Sequence, residues 1–293
     1  MPSELDSLVL HSATKTQLEH FIAAPAHAVL LAGPDGIGKT AIAEVMVCAL
    51  LQTPADKLAT HPHYIVVRAD GKSISIEAIR NLQKFLQLKT IGTQPLRRAV
   101  VIEHAQTLTV EAQNAFLKLL EEPPADTLMV LTADSPRSLL PTILSRTQVI
   151  TINAPTAEQV APLMQASGKD DAAQRQAYFL SGGLPGLLCA LLSGDEAHPL
   201  LQSVTQAKAL LQQSSFERLA QVDGLSKQKE SAHGVVSALE RIAEAMVSQA
   251  AAKGEVSRIK QWHRIRKQAL TAREALEHSA NAKLTLSNLF LHL

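Results

Sequence analysis

The chain has 293 residues, 46% of them hydrophobic, enough to bury more than one core, and its length suggests about two domains. A formal charge of +1 gives no strong global field, so nucleic acid would have to meet a local basic patch, and an aromatic share of 3% argues against a base-stacking platform. The first residues carry no basic segment before an apolar one, and no apolar run approaches the roughly 18 residues that span a bilayer, which predicts a cytoplasmic chain without a membrane partner.

Between Thr14 and Thr151, β-branched runs alternate with helical patterns: HAVLLA (27–32), YIVVRA (64–69), RAVVIE (98–103), TLMVLTA (127–133) and QVITI (148–152). Such alternation predicts a parallel sheet, and the unbroken apolar character of the runs suits strands covered on both faces. Thr40–Gln52, Ser75–Leu88 and Thr109–Glu122 read as the crossover helices, the last stopped by Pro123 and Pro124.

Asn153-Ala154-Pro155-Thr156 reads as a hinge, after which the strands cease. Helical patterns at 156–166, 170–181 and 184–193 follow, interrupted by Ser181-Gly182-Gly183-Leu184-Pro185-Gly186, and Gly194 to Pro199 mark a second boundary. The expected organisation is an α/β nucleotide-binding core over 1–153, a small helical unit over 154–195 and an all-α domain over 196–293. Cys48 and Cys189 sit in apolar helical patterns far apart, which predicts reduced, buried thiols.

The string Gly33-Pro34-Asp35-Gly36-Ile37-Gly38-Lys39-Thr40 fits the phosphate-loop pattern G-x-x-x-x-G-K-T, directly after the first strand and at the start of a helix. The glycines let backbone N–H groups face phosphate oxygens, Lys39 reaches the terminal phosphates and Thr40 can ligate magnesium. ATP or ADP with magnesium is the expected ligand. The competing reading, a glycine turn with an exposed lysine, does not account for the flanking strand and helix.

A hydrolytic site of this kind also wants acids at a neighbouring strand end, one for magnesium and one to orient water. Val100-Val101-Ile102-Glu103-His104 supplies Glu103 for the metal, but His104 stands where the second carboxylate belongs. Imidazole is a poor replacement, so nucleotide binding with feeble hydrolysis is expected. A His104 that merely packs or faces solvent fits the sequence equally well.

SISIEAIRNL and NAFLKLLEEPPADTLMVLTADSPRSLLPTILSRT resemble the bacterial clamp-loader ATPases of the AAA+ class, as do SGGLPGLL and NAKLTLSNLFLHL near the end. The resemblance implies a subunit of the DNA polymerase III clamp loader, with gamma/tau and delta subunits as partners and the sliding clamp and primed DNA reached through the assembly. It gives Gly33 to Thr40 the nucleotide loop, Glu103 the metal, and Thr132 to Ser135, with Thr132 at the nucleotide, the sensor-one region. Arg146 in Ser145-Arg146-Thr147 matches the arginine presented to ATP on an adjacent subunit; the competing reading is a surface salt bridge. Thr147 replaces the motif's cysteine, the four-cysteine zinc module is missing from Thr53 to Pro62, and Cys48, His61 and His63 make no closed tetrahedral set, so no zinc is expected. The lid's Gly183-Leu184-Pro185-Gly186 lacks the sensor-two arginine, which resembles the delta-prime members.

Arg258, Lys260, Arg264, Arg266, Lys267 and Arg273 crowd one C-terminal helix, with Lys260, Arg264 and Lys267 on one face. A phosphate-contacting stripe and a solvated or salt-bridged face both fit. Val256, Ile259, Trp262 and Ile265 offer an apolar face to the same bundle or to a neighbour, and the resemblance implies an oligomerisation collar. The alternative function is a gamma/tau-type motor ATPase; a P-loop kinase for a small molecule has little support, because no lid arginines cluster.

Overall fold

The structure, a computed structural model, describes residues 4–90, 94–194, 199–277 and 280–293. The chain divides into two compact units, Met1–Val160 and Ala161–Leu293.

The first unit is built on strands β1 (Ala28–Ala32), β2 (Tyr64–Val67), β3 (Arg98–Ile102), β4 (Thr127–Ala133) and β5 (Gln148–Thr151), with helices α1 (Ser12–Ala23), α2 (Lys39–Leu51), α3 (Ala55–Leu58), α4 (Ile76–Leu86), α5 (Val110–Glu121) and α6 (Pro141–Leu144). The strands form one parallel sheet in the order β2-β3-β4-β1-β5. Every residue of β1, β3 and β4 is buried, as expected for strands covered on both faces. The edges depart from that expectation. In β5 only Ile150 is buried, and in β2 only Val67, because an edge strand has a neighbour on one side only.

Alternation sorts the side chains between the two faces. Ala28, Leu30 and Ala32 of β1, Val100 and Ile102 of β3, and Met129 and Leu131 of β4 share a core with Ile79, Leu82, Phe116 and Leu120 from α4 and α5. The intervening Val29, Leu31, Val101 and Val130 are buried on the opposite face, where α2 packs with Ile42, Ala43, Met46 and Val47. Side-chain oxygens of Ser75 and Thr109 accept from the N–H groups of Ala78 and Ala112 and start α4 and α5.

The second unit is helical throughout its described residues: α8 (Asp171–Ser181), α9 (Pro185–Ser193), α10 (Pro199–Gln212), α11 (Ser215–Ala220), α12 (Val222–Lys227), α13 (Lys229–Ala252), α14 (Val256–Glu277) and α15 (Ala282–Leu291), with α7 (Ala157–Ala166) running across the division. Its largest packing is the hairpin of α13 on α14, built on Val235, Leu239, Ile242, Ile265, Ala269 and Leu276. Residues 195–198 of the expected second boundary lie outside the described residues.

One expectation about the cysteines is corrected. Cys48 is buried, but Cys189 is exposed, because α9 buries Leu187, Leu188, Ala190 and Leu192 and turns Cys189 to the opposite side. On the basic helix, Arg258, Arg266 and Arg273 pair with Glu255, Glu244 and Glu240 at 2.8, 3.2 and 2.9 Å. Lys260, Arg264 and Lys267 are exposed. The apolar face of that helix is only partly covered: Ile265 is buried, whereas Val256 is 62% exposed.

Candidate nucleotide site

The loop Gly33 to Thr40 joins the end of β1 to the first turn of α2, at the carboxyl edge of the sheet and between the ends of β4 and β5. Gly36 and Gly38 have φ of 81° and 97°, conformations that side chains resist, and Gly38 caps α2. Gly33 is glycine for a different reason: a Cβ there would meet the Ile152 carbonyl oxygen at 3.0 Å and its Cβ at 3.3 Å. The Gly33 N–H bonds the Ala133 carbonyl at 3.1 Å, so loop and β4 are fastened together. Pro34 and Asp35 are exposed, Ile37 is buried beneath the loop, and Thr40 is half-buried in the first turn of α2.

Lys39 is not an exposed lysine. Its side chain is 6% exposed, and its ammonium donates to the Gly33 carbonyl at 2.6 Å, to Asp134 Oδ1 at 3.0 Å and to Asp35 Oδ1 at 3.4 Å. Asp134 follows β4, and its other oxygen accepts from Gln106 Nε2 at 2.8 Å. Burial opposes charge on both carboxylates. The Lys39 ammonium nevertheless draws Asp35 below the ordinary carboxylate value, while Asp134, beside the Asp35 charge, is held above it. Two acids share one cation, and they share it unequally.

The end of β3 places the remaining residues. Glu103 is nearly buried and accepts a bidentate pair from Arg68, at 2.8 and 2.9 Å. Both of its oxygens are thereby engaged by a guanidinium. His104 takes a left-handed conformation with φ of 50°, fixed by its N–H donating to Thr132 Oγ1 at 3.0 Å. Thr132 is buried, so its hydroxyl shapes the strand end from within β4. The His104 ring stands 3.9 Å from Asp35. Among the described residues, Asp35, His104 and Asp134 bring their ligand atoms within 4.8 Å of one another. The oxygen donors of this region, with the Thr40 hydroxyl, are of the hard type that magnesium takes, whereas the imidazole is not.

Arg146 follows α6. Its guanidinium pairs with Glu121 Oε1 at 3.0 Å and donates to the Thr142 carbonyl at 3.1 Å, with 36% of the side chain exposed. The structure thus brings Asp35, Lys39, His104 and Asp134 together, leaves Glu103 with Arg68, and sets Arg146 against Glu121. Asp134, Gln106 and Arg68 were not picked out singly from the sequence. Asp134 lay within the Thr132 to Ser135 stretch, while nothing local marks the other two.

A cavity of about 760 Å³ lies against α2, with no residue of Gly33 to Thr40 in its lining, which includes Ala41, Val45, Cys48, Leu58 and Tyr64. Burial, with Glu44 nearby, pushes the Tyr64 hydroxyl up to about 12. The loop itself is a shallow cradle of backbone and charge, which is what a phosphate group requires.

The fold is similar to that of a solved structure of the Thermotoga maritima RuvB Holliday junction branch migration motor, with a TM-score of 0.51 and 17% identity over 72% of this chain and 67% of that one. Sheet order, loop and helical second unit define a P-loop α/β protein of the AAA+ class. A family model described as "DNA polymerase III, delta subunit" matches residues 11–156. The DNA polymerase III subunit delta' of Pseudomonas aeruginosa is 35% identical over 207 residues, 64% of this chain and 62% of that protein. The gamma/tau subunit of Mycobacterium tuberculosis is 29% identical over 136 residues, 41% of this chain and 23% of that protein. The chain spans less than two thirds of the length of these curated relatives. Over residues 11–156 it matches the DNA polymerase III delta-prime proteins. Among the described residues, no helix is long and apolar enough to cross a membrane.

Proposed function

We propose that the chain is a clamp-loader subunit that binds ATP or ADP with magnesium at Gly33 to Thr40, hydrolyses it weakly or not at all, and donates Arg146 to the nucleotide of a neighbouring subunit. Residues 154–195 act as the lid and 196–293 as the collar. The partners are gamma/tau and delta subunits in the cytoplasm, with the sliding clamp and primed DNA engaged by the assembly.

The observation that carries this reading is the state of the β3 end beside an intact loop. Glu103, the residue assigned to magnesium with Thr40, is held by Arg68, and His104 follows it where a water-orienting acid belongs. Such a site retains the means to hold phosphate, while its β3 end offers His104 in place of a second acid to orient water. The family match with delta-prime relatives favours the same reading over the gamma/tau-type motor. Arg146 suits donation in trans because its exposed pair with Glu121 contributes only about 0.5 kcal/mol and is readily exchanged.

Reconstitution of a loader carrying Arg146→Ala tests the arginine. DNA-stimulated ATP turnover is expected to fall by at least about tenfold; unchanged turnover overturns the assignment. Nucleotide binding without turnover by the purified chain is the expected companion result, and robust hydrolysis lost on Lys39→Ala would instead establish a motor.

A further inference from the structure

An ammonium group has three protons to donate. Around Lys39 three oxygens already receive them: the Gly33 carbonyl, Asp134 and Asp35, at 2.6, 3.0 and 3.4 Å. With the side chain 6% exposed, water has little access to replace a lost partner. A phosphate entering the loop must therefore take one of these three directions.

The three oxygens are not equally displaceable. The Gly33 carbonyl belongs to a residue whose N–H is bonded to Ala133 and which lies so near Ile152 that a Cβ would meet it, so it stays with the sheet. Asp35 lies on the loop itself, four residues before the lysine, at 3.4 Å and with 57% of its side chain exposed. Asp134 arrives from β4, makes the shorter ion pair and is held at its second oxygen by Gln106 at 2.8 Å. It is a positioned carboxylate aimed at the group that phosphate needs.

We propose that Asp134 is an internal competitor for phosphate, which sets the nucleotide affinity of the loop by holding Lys39 until an incoming phosphate displaces it. The proposal rests on the reading of the loop as a nucleotide site. It also specifies the ligand. Two carboxylates repel a bare polyphosphate, so the site selects a nucleotide whose charge is already offset by a divalent cation. Asp134 is then a determinant of affinity and of cation dependence, distinct from any residue that holds the phosphate.

The test titrates the full chain, its Asp134→Asn and Gln106→Ala variants, and Lys39→Ala with ADP in the presence of magnesium and again in excess chelator. Circular dichroism and thermal unfolding confirm that each is folded. Asp134→Asn is expected to bind ADP at least about tenfold more tightly in chelator, with a smaller gain in magnesium, so that the ratio between the two conditions shrinks. Gln106→Ala keeps the charge and frees the carboxylate; a gain of about twofold to threefold is expected. Folded Asp134→Asn with affinity unchanged or weakened in chelator overturns the proposal. If neither the parent chain nor any variant binds ADP in magnesium, the nucleotide reading falls instead, an outcome separable from failure of the competitor.

Discussion

The two ends of the parallel sheet both concentrate charge, but they treat it in opposite ways. At the amino end of β3, Arg98 is 2% exposed, donates to the Leu86 carbonyl at 2.6 Å and to that of Leu88, and lies over the Phe85 ring at 5.3 Å. Beside it, Asp126 accepts from Thr90, Thr127 and Arg97. The two terminal nitrogens of Arg98 are bonded there while its buried Nε has no partner among the described residues, and the result ties α4 to β3 and β4. At the carboxyl end, Lys39 is divided between two acids, a cation and a carboxylate are taken up by the Arg68–Glu103 pair, and a histidine has positive φ. The same strands thus carry one end whose buried arginine braces the fold, with only its Nε left over, and a contested end where two acids share one cation and a ligand can change the balance. Like charges competing for one cation on a rigid frame mark where binding free energy is available.

That contrast can be broken most forcefully at the Arg98 end. Arg98→Ala leaves the carbonyls of Leu86 and Leu88 without their donor and opens space in the core; unfolding in urea should show a loss of about 4 kcal/mol, with nucleotide affinity per folded molecule unchanged. At the contested end, Lys39→Ala should invert the pattern. Nucleotide affinity is expected to fall at least about 100-fold in calorimetric titration, with a smaller loss of stability, about 1 to 2 kcal/mol, because the two acids left behind are 57% and 44% exposed and can be solvated. Equal damage to stability from both substitutions would dissolve the distinction.

Two smaller effects sharpen it. Burial opposes the Asp126 charge, but Thr90, Arg98, Thr127 and Arg97 together hold its carboxyl below the ordinary value of 3.8. A lowered folded-state value contributes stability above the unfolded value and loses it as pH falls through the folded one. Asp126→Asn should therefore cost about 1 kcal/mol at neutral pH, and the difference from the parent chain should close as unfolding is followed below pH about 4. Arg68→Ala should cost the least, about 0.5 kcal/mol, because 63% of the arginine side chain is exposed and solvent screens the pair. Its informative readout is the magnesium dependence of nucleotide binding, expected to strengthen when Glu103 is released and to stay constant if Glu103 has no part in holding the metal.

The sequence made the first strand, the loop and α2 readable together because all three are contiguous and their signals reinforce each other. Strands β3 and β4 were equally plain, since central strands have the same environment on both faces. Their edge counterparts were not: whether Val149 is covered depends on which strand lies next to β5, and that order is set by the whole topology. The short helices α3 and α6 carry too few residues for a period to register. Cys189 was misread because α9 is apolar nearly all round, and composition there does not say which side faces out. The deepest omission concerns the site. Asp134 meets Lys39 across 95 residues, Arg68 meets Glu103 across 35 and Gln106 meets Asp134 across 28. A local motif names the lysine; only the fold names the anions that compete for it.

The left-handed backbone at His104 imposes a double filter on what this position can become. Conformation admits Gly, Asn and Asp with little strain and rejects β-branched residues. Charge then divides the survivors: Asn or Gly would stand beside Asp35 and Asp134 without adding to their repulsion, whereas Asp would make a third carboxylate around one lysine. A simple restoration of the acid, the change that would seem to rebuild a hydrolytic centre, is thus the one that the neighbourhood resists unless Asp35 or Asp134 is neutralised with it.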